Sequence, residues 1–171
     1  MDYKYYEKKI NDIILKCPIE AGVEILVYNL LDSILTLEEL SLVDINRLRK
    51  NRDERLMTDA GIPDIAILSN DFMYNTEIGE VYGFIEVKAT NIALSETEQV
   101  HGQKTAARHY LYTNGLVWKY FKDGGCEWEC SLAYFESKKC EKITIFQPVS
   151  INNKDFEDLK NRLTKIDWKG M

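Results

Sequence analysis

Long apolar runs are missing from this sequence. Nothing in its 171 residues approaches the roughly 18 consecutive apolar positions of a membrane span, so no membrane partner is expected. Histidine is scarce, with His101 and His109 the only two, and no Ser or Cys sits in a recognisable strand–turn–helix nucleophile turn. A hydrolase built on a nucleophile–histidine pair is therefore not expected. No Gly-rich phosphate loop of the Walker type occurs, which excludes a helicase or translocase motor. Linkers rich in Pro, Gly or Ser are lacking too, as are internal repeats, so the expectation is one domain over residues 1–171. The opening Met-Asp-Tyr-Lys turns amphipathic rather than uniformly apolar, which reads as no secretory signal and a cytoplasmic location. The four cysteines are irregularly spaced and read as reduced thiols; Cys126, Cys130 and Cys140 lack a fourth ligand at finger-like spacing. An excess of positive charge is also missing. The net charge of −6 argues against a protein that coats nucleic acid through its overall field. A locally basic groove remains compatible with it, and Arg47, Arg49, Lys50, Arg52 and Arg55 cluster. They suit a solvated face as well as a phosphate-contacting patch.

What is present is ordinary globular material, 45% hydrophobic and 29% charged. In residues 3–16 the apolar positions Tyr6, Ile10, Ile13 and Ile14 recur at three- and four-residue steps, predicting a helix that ends near Cys17-Pro18. A second helix is predicted from Glu20, with Val23, Leu26, Val27, Leu30, Leu31 and Ile34 as its stripe. Residues 36–50 read as a third. Then the period changes. Residues 62–68 and 81–89 form short apolar runs with β-branched and aromatic residues, predicting two strands able to pair antiparallel. Residues 95–107 read as a helix with Ser95 as N-cap and Glu98 three residues on. Asn114-Gly115 marks a hairpin between residues 109–113 and 116–121. Further strands are predicted at 128–135 and 142–147, and a closing helix at 155–166. This order describes an α/β domain with a mixed central sheet flanked by helices and an N-terminal helical segment.

Charge inside two of these strands is the chemical signal. Asp64 interrupts an otherwise apolar run, and Glu86 and Lys88 interrupt the next. Residues two apart on a strand project from one face, so Glu86 and Lys88 share a face while Ile85 and Val87 take the other. If the strands are neighbours, two carboxylates and an ammonium converge. Phosphodiester hydrolysis needs an activated water and neutralised charge on the phosphate, which carboxylate-held Mg²⁺ can provide. The bland alternative is a cross-strand ion pair on a half-exposed sheet.

Ile62-Pro63-Asp64 with Glu86-Val87-Lys88 resembles the PD-(D/E)XK, restriction-endonuclease-like superfamily, and within it the nuclease domain at the N-terminus of type I restriction enzyme R subunits. That group carries a Glu on an early helix ahead of paired leucines; Glu20, ahead of Leu30-Leu31, matches it, and Glu24 is the alternate one turn on. It also has a Gln on the helix after the Glu-x-Lys strand, followed by Thr-Asn-Gly and a Trp. Gln99 and Gln103 both lie on that helix, before Thr113-Asn114-Gly115 and Trp118. Ala107 stands four residues after Gln103 where the group often has a Tyr, so the functional Gln stays undecided between the two. The resemblance covers residues 18–147. It implies a restriction-endonuclease-like fold, with Asp64, Glu86 and Glu20 as ligands to Mg²⁺, for which Mn²⁺ substitutes. Lys88 and a Gln complete the catalytic set. The implied activity is endonucleolytic, on DNA rather than RNA, with a homodimer expected because cutting two strands needs two centres. The competing expectation is a catalytically silent module on the same fold, binding nucleic acid or a protein partner.

Overall fold

Tyr6, Ile10 and Ile14 line one side of α1 (Tyr3–Lys16), which the Asp2 side chain caps by accepting the Tyr5 N–H at 2.8 Å. A computed structural model describes residues 1–35, 39–48, 52–144 and 146–170. After Pro18 the chain re-enters helix as α2 (Glu20–Asp32), burying Val23, Leu26, Val27, Leu30 and Leu31. It returns as β1 (Leu40–Asp44), a strand where the sequence predicts helix. Residues 36–38, 49 and 50 of that prediction lie outside the described residues. The reason for the strand is its position. Leu40 and Leu42 alternate inward while the backbone pairs with β2 (Ile65–Ser69), so an edge strand satisfies both its side chains and its peptide groups.

From β2 the chain pairs antiparallel with β3 (Val81–Val87), as the two apolar runs predict. It crosses through α3 (Glu98–Ala106) to β4 (His109–Thr113), which lies parallel to β3. Then β5 (Val117–Lys122) and β6 (Gly125–Ser131) complete a six-stranded sheet ordered β1-β2-β3-β4-β5-β6. Thr97 rather than Ser95 caps α3, its hydroxyl accepting the Val100 N–H. The carbonyl of Ser95 is instead set to accept the Tyr112 hydroxyl at 3.4 Å. The Asn114-Gly115 turn is confirmed and braced. Asn114 Oδ1 accepts two backbone N–H groups of the turn, and Gly115 adopts φ +81°, where a side chain would also meet Ile10.

The predicted strand over 128–135 divides at Leu132 between β6 and β7 (Ala133–Phe135). β7 joins β8 (Lys138–Lys139) and β9 (Ser150–Ile151) in a second, three-stranded sheet that the sequence does not announce. Residues 142–144, 146 and 147 are not strand. The closing helix is α4 (Asn153–Thr164), with Phe156, Leu159 and Leu163 inward.

Alternation splits the apolar side chains between two cores. Ile65, Ile67, Ile85, Val87, Leu111 and Trp118 meet α1, α2 and α4 on one face. Ala66, Leu68, Phe84, Tyr110, Tyr112 and Phe121 meet Val100 of α3 on the other. The hairpin aromatics are thus core rather than an exposed stacking surface. Arg55 also leaves the basic cluster. Its guanidinium binds Asp53 and the carbonyls of Met73, Ile78 and Gly79, and lies over the Phe72 ring, clamping the β2–β3 connection. Among the described residues, no helix is long and apolar enough to cross a membrane.

His109 is buried where β3 and β4 approach closely, its Nδ1 2.7 Å from the Tyr120 hydroxyl and its ring edge-on to Trp168. Burial, then the charges of Arg108 and Lys122, outweigh Asp123 and Asp167 and hold its pKa below the usual histidine value. As pH falls from that usual value toward the depressed one, the unfolded chain takes up a proton that the folded chain refuses. Stability is therefore lost on acidification through this window, by at most about 1.4 kcal/mol per pH unit. Urea melts at pH 7, 6 and 5 are expected to show this slope in the native chain and its flattening in His109→Gln.

Candidate metal centre

The site begins with the backbone of Asp64. Its N–H donates to the Ile85 carbonyl at 3.1 Å, while its own carbonyl accepts the N–H groups of Ile45 at 2.9 Å and Asn46 at 3.2 Å. The end of β1, the start of β2 and the end of β3 are thereby tied at one residue. The Asp64 side chain, 6% exposed, accepts the Val87 N–H at 2.6 Å. Lys88 follows β3, and its N–H donates to the Thr113 carbonyl at 2.8 Å.

Glu86 lies on β3 and is 2% exposed. Its Oε1 accepts from Lys88 Nζ at 2.5 Å and from Gln99 Nε2 at 3.1 Å, while Oε2 is buried without a hydrogen-bond partner. From the other side α2 brings Glu20 and Glu24. One carboxylate oxygen from each of Glu20, Glu24 and Asp64 lies within 4.8 Å of the others. The sequence leaves Glu20 and Glu24 as alternatives, and the fold brings both to Asp64. Glu86, expected among the ligands, is turned toward Lys88 and Gln99 and stands beside this group of three rather than in it.

Clustering like charges in a poorly solvated place is costly. Burial first, and then the Glu86 charge, push the Asp64 carboxyl well above the usual aspartate range against the pull of the Val87 N–H. Burial raises Glu86 as well, opposed by Lys88 and by Gln103, and raises Glu24 against the hydrogen bond from Asn46. For Lys88, burial disfavours the ammonium but the Glu86 carboxylate outweighs it, so its pKa rises and it stays charged.

These donors fit a hard divalent cation. All are carboxylate oxygens; Asp64 has a single backbone donor for its charge, and Glu86 keeps one oxygen unpartnered. Glu20, Glu24 and Asp64 would hold Mg²⁺ or Mn²⁺. Glu86 would join them with its unpartnered oxygen.

One position escapes sequence reading. Asn46 Nδ2 donates to Glu24 at 3.1 Å while its N–H holds the Asp64 carbonyl, so it positions two acids at once. It lies inside the stretch of residues 36–50 predicted as helix, where nothing marks it. Gln103 is fully buried, its Oε1 accepting the hydroxyl of Tyr110 at 2.7 Å. That bond leaves the Gln103 amide nitrogen for Glu86. It lies near enough to help hold the Glu86 pKa down, although no acceptor stands at ordinary hydrogen-bond distance. Gln99 is thus the glutamine in direct contact, with Gln103 behind it. Tyr110→Phe orphans the buried Gln103 oxygen and is expected to cost about 1–3 kcal/mol in chemical denaturation.

No family model matches the chain, and no curated protein does. Among solved structures it is similar to a chain in a cryoEM structure of a DrdV–DNA complex, with a TM-score of 0.56 and 13% identity over 96% of each chain. A likeness at that identity speaks for architecture alone. The chain adopts a restriction-endonuclease-like α/β fold, in which the described residues form a mixed six-stranded sheet flanked by four α-helices.

Proposed function

We propose that this protein is a Mg²⁺-dependent nuclease that hydrolyses phosphodiester bonds of DNA. The observation that carries the reading is the meeting of Glu20, Glu24 and Asp64 within 4.8 Å beside the Glu86–Lys88 pair. A sheet face serving packing alone has no use for four acids around one lysine. The DNA in the complex of the similar DrdV chain favours DNA as the substrate.

A divalent ion held by these carboxylates would neutralise phosphate charge and lower the pKa of a bound water. The chain's own groups do the rest. Lys88, kept as an ammonium, is a charge stabiliser for the phosphate and not a base. Glu86 is the group able to take the proton that the attacking water releases. Gln99 and Lys88 together hold Glu86 at Oε1 and leave Oε2 without a hydrogen-bond partner.

One observation favours a second reading. Glu86 is already neutralised by Lys88, as it would be in a silent module that only binds nucleic acid or a protein partner. Supercoiled and linear DNA, with RNA in parallel, incubated with the chain and Mg²⁺, Mn²⁺ or EDTA, separates the two. Metal-dependent DNA cleavage that Asp64→Asn removes supports the nuclease. A folded chain that binds no Mn²⁺ and cleaves nothing refutes it.

A further inference from the structure

Beside the carboxylates a cleft of about 400 Å³ opens between α2 and the end of β1. Glu24 forms one wall and belongs to the metal centre as well, so whatever fills the cleft sits next to the bond being cut. Ile25, Tyr28 and Ile65 make it apolar, and among the described residues Arg47 is the cation lining it. We propose that this cleft is a subsite for one unpaired nucleotide of the substrate strand, with its phosphate at Arg47 and its base against Ile25 and Tyr28. The proposal rests on reading the carboxylate centre as a nuclease site.

The volume falls within the range of small-ligand pockets, and the lining is of that kind, mostly apolar with a few polar anchors. Ile25 is 64% exposed on a helix whose other large apolar residues are turned inward, so its side chain is available to a ligand. The Tyr28 ring is fixed in place because its hydroxyl donates to the Leu42 carbonyl at 2.8 Å. A fixed aromatic wall is what a base packs on without losing side-chain freedom. Arg47 offers a planar fork suited to phosphate oxygens. Asp44 lines the cleft too, its carboxylate accepting the Asn46 N–H at 3.1 Å, so that Arg47 is the lining group that attracts a phosphate while Asp44 and Glu24 repel one. A base inside such a concavity cannot remain stacked and paired, which is why the nucleotide is unpaired.

The test uses a fluorescein-labelled single-stranded 12-mer and the blunt duplex of the same sequence, titrated by anisotropy in Ca²⁺ across several salt concentrations. Arg47→Ala and Ile25→Glu change exposed positions, and a thermal melt checks that both fold. Each is expected to weaken single-strand binding about tenfold or more, with little effect on the duplex. Arg47→Ala is also expected to reduce the salt slope by about 0.7, the release from one single-strand phosphate contact. Mn²⁺ binding, followed by electron paramagnetic resonance, is expected to persist in both variants. Unchanged single-strand affinity in both variants, or an equal loss on the duplex, overturns the subsite. Failure of the native chain to bind Mn²⁺ overturns the nuclease reading instead, while a selective loss in the variants still supports the nucleotide cleft.

Discussion

Asp64→Asn is expected to do two opposite things: abolish metal-dependent cleavage and make the metal-free protein more stable at alkaline pH. The first follows from removing the carboxylate shared by the α2 acids and the strand pair; a loss of at least a thousandfold corresponds to about 4 kcal/mol of transition-state stabilisation. The second follows from linkage. The folded-state pKa of Asp64 is raised by burial and by Glu86. Its favourable contribution is therefore complete below the unfolded aspartate value and is lost as pH rises through the raised one. Each unit of that difference is worth about 1.4 kcal/mol, which in a chain of this size moves the melting temperature by about 3–6 °C. Melting in EDTA at pH 5 and pH 9 measures it. The variant is expected to gain on the native chain at pH 9 and not at pH 5, and Mg²⁺ is expected to narrow the gap by stabilising only the native chain. A variant no more stable at pH 9 than the native chain would show that Asp64 is not held in a hostile environment.

Lys88→Met is the other large effect. It keeps most of the side-chain volume but leaves Glu86 buried with Gln99 as its one remaining partner. Removing one member of a buried pair costs about 3–5 kcal/mol, far more than the net value of the pair. The cost is expected to shrink at pH 5, where Glu86 can take a proton. The double variant Lys88→Met/Glu86→Gln removes both charges and is expected to recover most of the stability while remaining inactive. Urea denaturation of the two single variants and the double variant gives the coupling directly. If Lys88→Met is as stable as the native chain, the ion pair is a solvated ornament and the charge-stabilising role given to Lys88 falls with it.

Asp64, Glu86 and Lys88 were legible because each interrupts an apolar run of the sequence; in the fold Glu86 lies within β3, while Asp64 immediately precedes β2 and Lys88 immediately follows β3. Their pairing was legible from two successive apolar runs joined through residues 69–80, and β2 and β3 do pair antiparallel. Glu20 and Glu24, one helical turn apart, could not be separated by sequence, and the fold gives both a place. The strand β1 was not legible. Leucines at 37, 40 and 42 suit a helix as well as an edge strand, and pairing with β2 decides between them. The direction of Glu86 and the depth of Gln103 depend on Gln99, Lys88 and Tyr110 meeting across elements, which no spacing along the chain encodes.

The parallel pairing of β3 with β4 carries a consequence for how this protein comes into being. Glu86 and Lys88 are translated well before Gln103, Tyr110 and Thr113, yet the Lys88 backbone is anchored on Thr113 and the Gln103 amide is set by Tyr110. A nascent chain that has not yet delivered β4, or a product truncated before it, carries all four acids and the lysine with the β2–β3 pairing, but without the strand that anchors Lys88 and the tyrosine that sets Gln103. On the nuclease reading proposed above, the site is therefore complete only once β4 has docked beside β3.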